Sequence, residues 1–194
     1  LGKYTRFVFS EHQLHYFWQE KLLHMSLIKS VRGFTPKLGK DCYLAETAVI
    51  IGDVVAGDQC SFWFHVVVRG DVNSIRIGNK VNIQDGTVLH TLYQRSVIEI
   101  GNNVSIGHNV VIHGAKIHDN VLIGIGSVIL DNAVIGENSI IAAGSVVLTG
   151  TIVEPGSIYA GIPAKRVKDV DPKQTSEMIN RIADDYIMYA SWYK

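Results

Sequence analysis

The sequence predicts an all-β chain, a solenoid of short parallel strands closed at its C-terminal end by one α-helix. Three observations carry that reading. Aliphatic residues return at about every sixth position, at Ile100, Ile106 and Ile112, then at Ile117, Ile123, Ile129, Ile135, Ile141, Val147 and Val153. Small or polar residues follow them, as in IGNNVS, IGHNVV, IGIGSV, IGENSI and IAAGSV. After Asp171–Pro172 the apolar residues switch to helical spacing.

A period of six is neither the 3.6 of a helix nor the 2 of an isolated strand. It fits a coil in which each hexad gives one short strand and one corner. The aliphatic side chain points inward, and glycine or asparagine tolerates the tight corner. Three hexads make one triangular coil, stacked on the next at a strand spacing of about 4.8 Å. Upstream, Leu38, Leu44, Ile50, Val55, Val67, Ile77, Ile83 and Leu89 fit the same scheme with small slips. The pattern resembles the hexapeptide-repeat proteins, and the resemblance implies a left-handed winding, where ordinary crossovers are right-handed. The expected fold is therefore a single-stranded left-handed parallel β-helix over residues 25–168.

Residues 169–194 are expected to form the C-terminal α-helix, with Asp171 as N-cap and Pro172 in the first turn. Met178, Ile179, Ile182, Ala183, Tyr186, Ile187 and Ala190 would make the apolar stripe that lies along the solenoid. Residues 1–24 differ from everything that follows. They are aromatic and irregular, begin with Leu rather than Met, and lack the basic start and apolar centre of a secretory signal. They read as an arm foreign to the natural protein or without fixed structure; the alternative is a short arm packed on the surface. Neither reading assigns them a function.

Composition narrows the partners. The chain has 194 residues, 18 Lys+Arg against 18 Asp+Glu, and 47% apolar residues. The length suits one domain with a substantial core. The charge balance offers no reason to expect nucleic acid or an anionic membrane as partner. No apolar run approaches the roughly 18 residues of a transmembrane helix. Two cysteines, Cys42 and Cys60, are too few for a disulfide framework and match no zinc knuckle. They read as buried thiols, which favours the cytoplasm.

Of eight histidines, His12, His15 and His24 lie in the arm, while His65 and His118 stand in repeats with no partner at a telling spacing. His90, His108 and His113 differ, because the repeat dictates where they point. His90 follows Leu89 and His113 follows Ile112, so each holds the second slot of a hexad. If Thr91–Arg95 bulges out as a loop, the two lie one coil apart on one face. Imidazoles on rungs about 4.8 Å apart can converge on an ion with Zn–N distances of about 2.0–2.1 Å. His108 belongs to the neighbouring face and can reach that ion only across a subunit interface. This suggests a metal shared between subunits in a three-fold ring. The alternative is three corner histidines bonded to nearby backbone.

The surrounding segments read VVVRGDV, IGNKVNIQDGTVLH and VSIGHNVVIHG. From about Met25 to the terminal helix they resemble the gamma-class carbonic anhydrase family, and most of all its short bacterial branch. The resemblance implies a homotrimer with metal sites at its interfaces, His90 and His113 coming from one subunit and His108 from the next. It implies polar interface contacts from Arg69 and Asp71, and matches Asn82, Gln84 and Asp85 to an Asn-x-Gln-Asp motif in which Gln84 orients the reactive hydroxide. Tyr186 resembles a tyrosine that approaches the site in relatives. The implied reaction is attack of metal-bound hydroxide on carbon dioxide to give bicarbonate. Zinc is the expected ion, with ferrous iron or cobalt compatible with imidazole ligands. The sequence departs from the family's strong members, which carry a glutamate after Arg-Gly-Asp and another beyond the first histidine. Val72 and the carboxylate-free Thr91–Arg95 occupy those places, so hydration is expected to be slow or buffer-dependent, with Tyr93 or His65 as substitute proton carriers. The rival readings are a metal-assisted thioesterase, an acyl-CoA-dependent transferase with a histidine base, and a metal-binding protein without catalysis.

Overall fold

Aliphatic side chains at matching positions of successive coils stack into three walls around one core. The structure, a computed structural model, describes residues 26–193; the expectation for residues 1–24 lies outside them. The chain is a left-handed parallel β-solenoid of about seven turns with a single C-terminal helix.

The first wall includes Leu27–Lys29, Val88–His90, Val111–His113, Val128–Ile129 and Val146–Val147. The second includes Lys37–Leu38, Ile98–Ile100, Lys116–Ile117, Val134–Ile135 and Ile152–Val153. Two long strands, Val49–Ala56 and Val67–Ile77, run through the corner and join these walls into one sheet. The third wall runs from Tyr43–Leu44 through Ser61–Phe62, Asn82–Ile83, Ser105–Ile106, Leu122–Ile123 and Ile140–Ile141 to Ser157–Ala160. Lys165–Asp169 caps that edge antiparallel to its neighbour.

The expected inward positions hold from Ile77 onward: Ile83, Ile106, Ile123 and Ile141 lie in register on the third wall, all fully buried. Burying each such side chain contributes about 1.5–3 kcal/mol. Val55 and Val67 are exceptions. The fully buried residues there are Val54 and Val68, and Val55 is 37% exposed. Side chains alternate along a strand, so a one-residue slip in a continuous strand exchanges inside for outside.

The corners explain the asparagines. Asn103, Asn109, Asn120, Asn132 and Asn138 all take φ between 55° and 58°, the left-handed region that asparagine tolerates better than most residues. A second corner carries a ladder: Lys40 N–H donates to Asp58, Asp58 N–H to Asn79, Asn79 N–H to Asn102 and Asn102 N–H to Asp119, each at 2.7–2.9 Å.

The C-terminal helix begins where expected. Asp171 accepts from Lys173 N–H at 2.6 Å and its own N–H donates to Gln174 Oε1, a reciprocal cap. Pro172–Gln174 is α-helical, Thr175–Asn180 widens into a π-helix, and Arg181–Ser191 resumes α. The helix lies on the third wall through Ile179, which is fully buried against Leu122 and Ile140. Met178 is partly exposed, because the wide turn shifts the stripe. Among the described residues no helix is long and apolar enough to cross a membrane.

Candidate functional site

Arg69, His90 and His113 are in register on three successive strands of the first wall. Their side chains point outward from the end of that wall, because the preceding Val68, Leu89 and Ile112 point into the core. The five residues Thr91–Arg95 form a turn beyond His90, and this lets Leu89 and Ile112 pair as one-coil neighbours. His90 Nδ1 and His113 Nε2 face each other at 3.3 Å.

Carboxylates hold both rings from behind. Asp71 Oδ1 lies 3.2 Å from His90 Nε2, and Asp71 Oδ2 accepts from Arg69 at 2.7 Å. Asp131 sets both oxygens 2.9 Å from His113 Nδ1 and accepts from Ser96 Oγ at 2.5 Å. Burial pushes the Asp71 carboxyl up, but Arg69's hydrogen bond and charge, with His90, outweigh it and hold it below the ordinary carboxylate range. Burial likewise opposes, and Ser96 and His113 together produce, a lowered Asp131. Both carboxyl groups are therefore ionised at neutral pH and act as acceptors only. The proton of each ring sits on the nitrogen facing its carboxylate, an assignment that follows from the partners.

That leaves two bare imidazole nitrogens aimed at one another. Lone pairs 3.3 Å apart repel unless a cation lies between them. A proton is disfavoured on His90, whose pKa is lowered by burial first and by the Arg69 charge next, with His113 adding to it. A metal ion fits: two nitrogens on a tetrahedral zinc, each about 2.0–2.1 Å away, lie roughly 3.3–3.4 Å apart.

His108 stands elsewhere, at the turn between the third and first walls, with Nδ1 2.9 Å from Asp85 Oδ2. Asn82 and Gln84 lie nearly buried on the same side. Gln84 Nε2 donates to Asn82 Oδ1 at 3.0 Å, and Asn82 Nδ2 donates to Ser105 Oγ at 2.7 Å. Among the described residues of one chain, no group of three or more His, Cys, Asp or Glu side chains is placed to hold a metal. One chain thus presents two polar clusters on separate corners: Arg69, Asp71, His90 and His113 on one, Asn82, Gln84, Asp85 and His108 on the other. Tyr186 belongs beside the second, packed edge-on against Trp63 at 5.3 Å. Burial, with a contribution from the Asp85 carboxylate, pushes its hydroxyl up to about 12. It lines a cavity of about 430 Å³ with Trp63, Asp85, Tyr189 and Trp192.

Of the two substitute proton carriers, Tyr93 is 51% exposed beneath the Arg32 guanidinium. His65 turns a corner at φ 60°, its N–H donating to Thr47 Oγ1. Three residues at the histidine pair escaped sequence reasoning: Ser96, Gly114 and Asp131. Gly114 takes φ 62°, and a Cβ there would strike Ser96 Oγ and Asp131 Oδ1. The repeat does contain the signal for Asp131. Ile112 pairs with Ile129, so one coil on from the His113–Gly114 corner falls at Asp131.

Comparison with known proteins gives four findings. The family described as bacterial transferase hexapeptide (six repeats) matches residues 114–149. A carbonic anhydrase of Geobacillus kaustophilus is 44% identical over 168 residues, 87% of this chain and 91% of that one. The mitochondrial gamma carbonic anhydrase 2 of Arabidopsis thaliana is 36% identical over 89% of this chain and 63% of its own. Among solved structures, a hexapeptide transferase family protein from Anaplasma phagocytophilum superposes with a TM-score of 0.81 at 36% identity, covering 87% of this chain and 98% of that one.

Proposed function

Because the chain belongs to the gamma-class carbonic anhydrase family of hexapeptide-repeat proteins, we propose that it hydrates carbon dioxide to bicarbonate at a metal ion shared between subunits of a homotrimer. The observation that carries this reading is the pair of bare nitrogens on His90 and His113, 3.3 Å apart and each backed by a carboxylate. His108 from a neighbouring subunit would complete the ligand set. Three neutral imidazoles leave a divalent ion's charge uncancelled, and such an ion supplies hydroxide at neutral pH.

The chain's own residues do the rest. Asp131 and Asp71 fix ring orientation and tautomer, and Arg69 keeps Asp71 ionised. Gln84, steadied by Asn82, would present its amide to the nucleophile from the same subunit as His108, while Asp85 orients His108. The Tyr186 hydroxyl stays protonated throughout the working range and serves as a hydrogen-bond donor. No carboxylate occupies Thr91–Arg95, and position 72 is valine, so proton export would depend on buffer.

The test is metal analysis of anaerobically purified protein, paired with stopped-flow hydration of carbon dioxide. About one ion per subunit and buffer-dependent hydration, both lost in His113→Ala, support the proposal. Metal-free protein, or metal-loaded protein with no hydration, rejects it.

A second reading has one observation in its favour. An apolar cavity of about 460 Å³ lies between the helix and the third wall, lined by Leu122, Ile125, Ile140, Met178 and Ile182, with Gln84 at its edge. Such a cavity suits an acyl chain, and a histidine held by a carboxylate, as His108 is by Asp85, suits a general base. Saturable binding of acyl-CoA by metal-free protein would favour this transferase reading.

A further inference from the structure

We propose that Cys42 and Cys60 form a reversible disulfide that staples the first complete coil of the solenoid to the second. The register places them together. Tyr43 pairs with Ser61 and Tyr43 N–H donates to the Cys60 carbonyl at 2.9 Å, so the two cysteines hold the same position one coil apart. Stacked strands lie about 4.7–4.9 Å apart, within the roughly 4.4–6.8 Å that a disulfide spans between Cα atoms. Both thiols also point to one corner. Cys42 Sγ donates to the Gly57 carbonyl at 3.2 Å and Cys60 Sγ to the Gly78 carbonyl at 3.1 Å. Gly57 and Gly78 are themselves neighbours, Gly57 N–H donating to Gly78 O.

Packing alone does not call for sulfur here. The same position in the next three coils is Val81, Val104 and Val121, each buried. The two thiols are moreover unequal. Cys60 is 1% exposed, whereas Cys42 is only half-buried. Interaction with the Cys60 thiol is the main influence lowering Cys42 to about 7, against burial and the Asp58 carboxylate; the same interaction, with burial, pushes Cys60 up. Cys42 is thus the accessible nucleophile and Cys60 the resolving thiol.

The oxidant is a low-molecular-weight disulfide of the glutathione class. The Cys42 thiolate attacks one of its sulfurs, forming a mixed disulfide and expelling one thiolate. Cys60 loses its proton and attacks Cys42 Sγ, closing the bond and expelling the second thiolate. Two protein thiols are oxidised and one small disulfide is reduced to two thiols. In a reducing compartment such a bond is transient and reports redox state.

The experiment incubates the full chain with oxidised glutathione, followed by intact mass, peptide mapping and thermal melting. The expected product is lighter by two hydrogen atoms, gives a crosslinked Cys42–Cys60 peptide, melts roughly 5 °C higher and reverts with dithiothreitol. Cys60→Ser should stop at a glutathione adduct on Cys42, and Cys42→Ser should leave Cys60 unmodified. A lasting adduct on the wild-type chain, a disulfide between chains, no reaction, or a crosslink without a rise in melting temperature would each overturn the proposal. If either variant fails to fold, the wild-type peptide map still decides.

Discussion

At His113 a single ring mediates between two kinds of partner. One nitrogen is committed to Asp131, both of whose oxygens lie 2.9 Å away, and the other is left bare toward His90. Replacing that carboxylate by an amide keeps the size but removes the charge that fixes the tautomer. Asp131→Asn should weaken zinc binding about 10–100-fold, measured by competition with a chromogenic chelator; unchanged affinity would show that Asp131 does not orient the ring. Gly114 allows the arrangement, since a side chain there would collide with Ser96 and Asp131 and would also strain a φ of 62°. Gly114→Ala should cost about 1–3 kcal/mol, read from urea titration.

At the scale of elements, two-residue strands such as Leu122–Ile123 have little stability of their own. They persist because each is paired on both sides and its inward side chain is packed between identical neighbours. Ile123 sits between Ile106 and Ile141 with no exposure. Ile123→Ala should therefore cost about 2–5 kcal/mol, with little freedom for the stacked coils to close the void. The Asp171 cap acts on a helix end open to solvent, and Asp171→Ala should cost only about 1 kcal/mol. Thermal melts of the two variants side by side test that order, and an equal loss would mean the helix is bound to the third wall more tightly than its contacts with Leu122 and Ile140 imply.

At the scale of the molecule, the His90–His113 and His108 clusters lie on different corners of one prism. In a ring of three, each interface would join one corner to the other. Mixing His108→Ala chains with His113→Ala chains, each unable to bind metal alone, should then restore about a quarter of the sites through mixed interfaces. The readout is metal retained after unfolding and joint refolding. No recovery would place all ligands of the ion within one subunit and reject the shared site.

The period of six, the aliphatic side chain beginning each hexad and the asparagine corners were enough to specify the solenoid, because a coil repeats its local chemistry every turn. Asp171–Pro172 was enough to start the helix, because capping depends on adjacent residues. Counting slots also put His90 over His113. Tertiary structure alone decided the rest. Two continuous strands turn a corner without a break, so Val54 and Val68, not Val55 and Val67, face the core. Ser96 reaches Asp131 from 35 residues away. That contact depends on how a five-residue loop folds back against the next coil, whereas Asp131 meets His113 one coil on, by register. Periodicity tells which way a side chain leaves the strand; which side chain it meets is determined by the bends between strands, and those do not repeat.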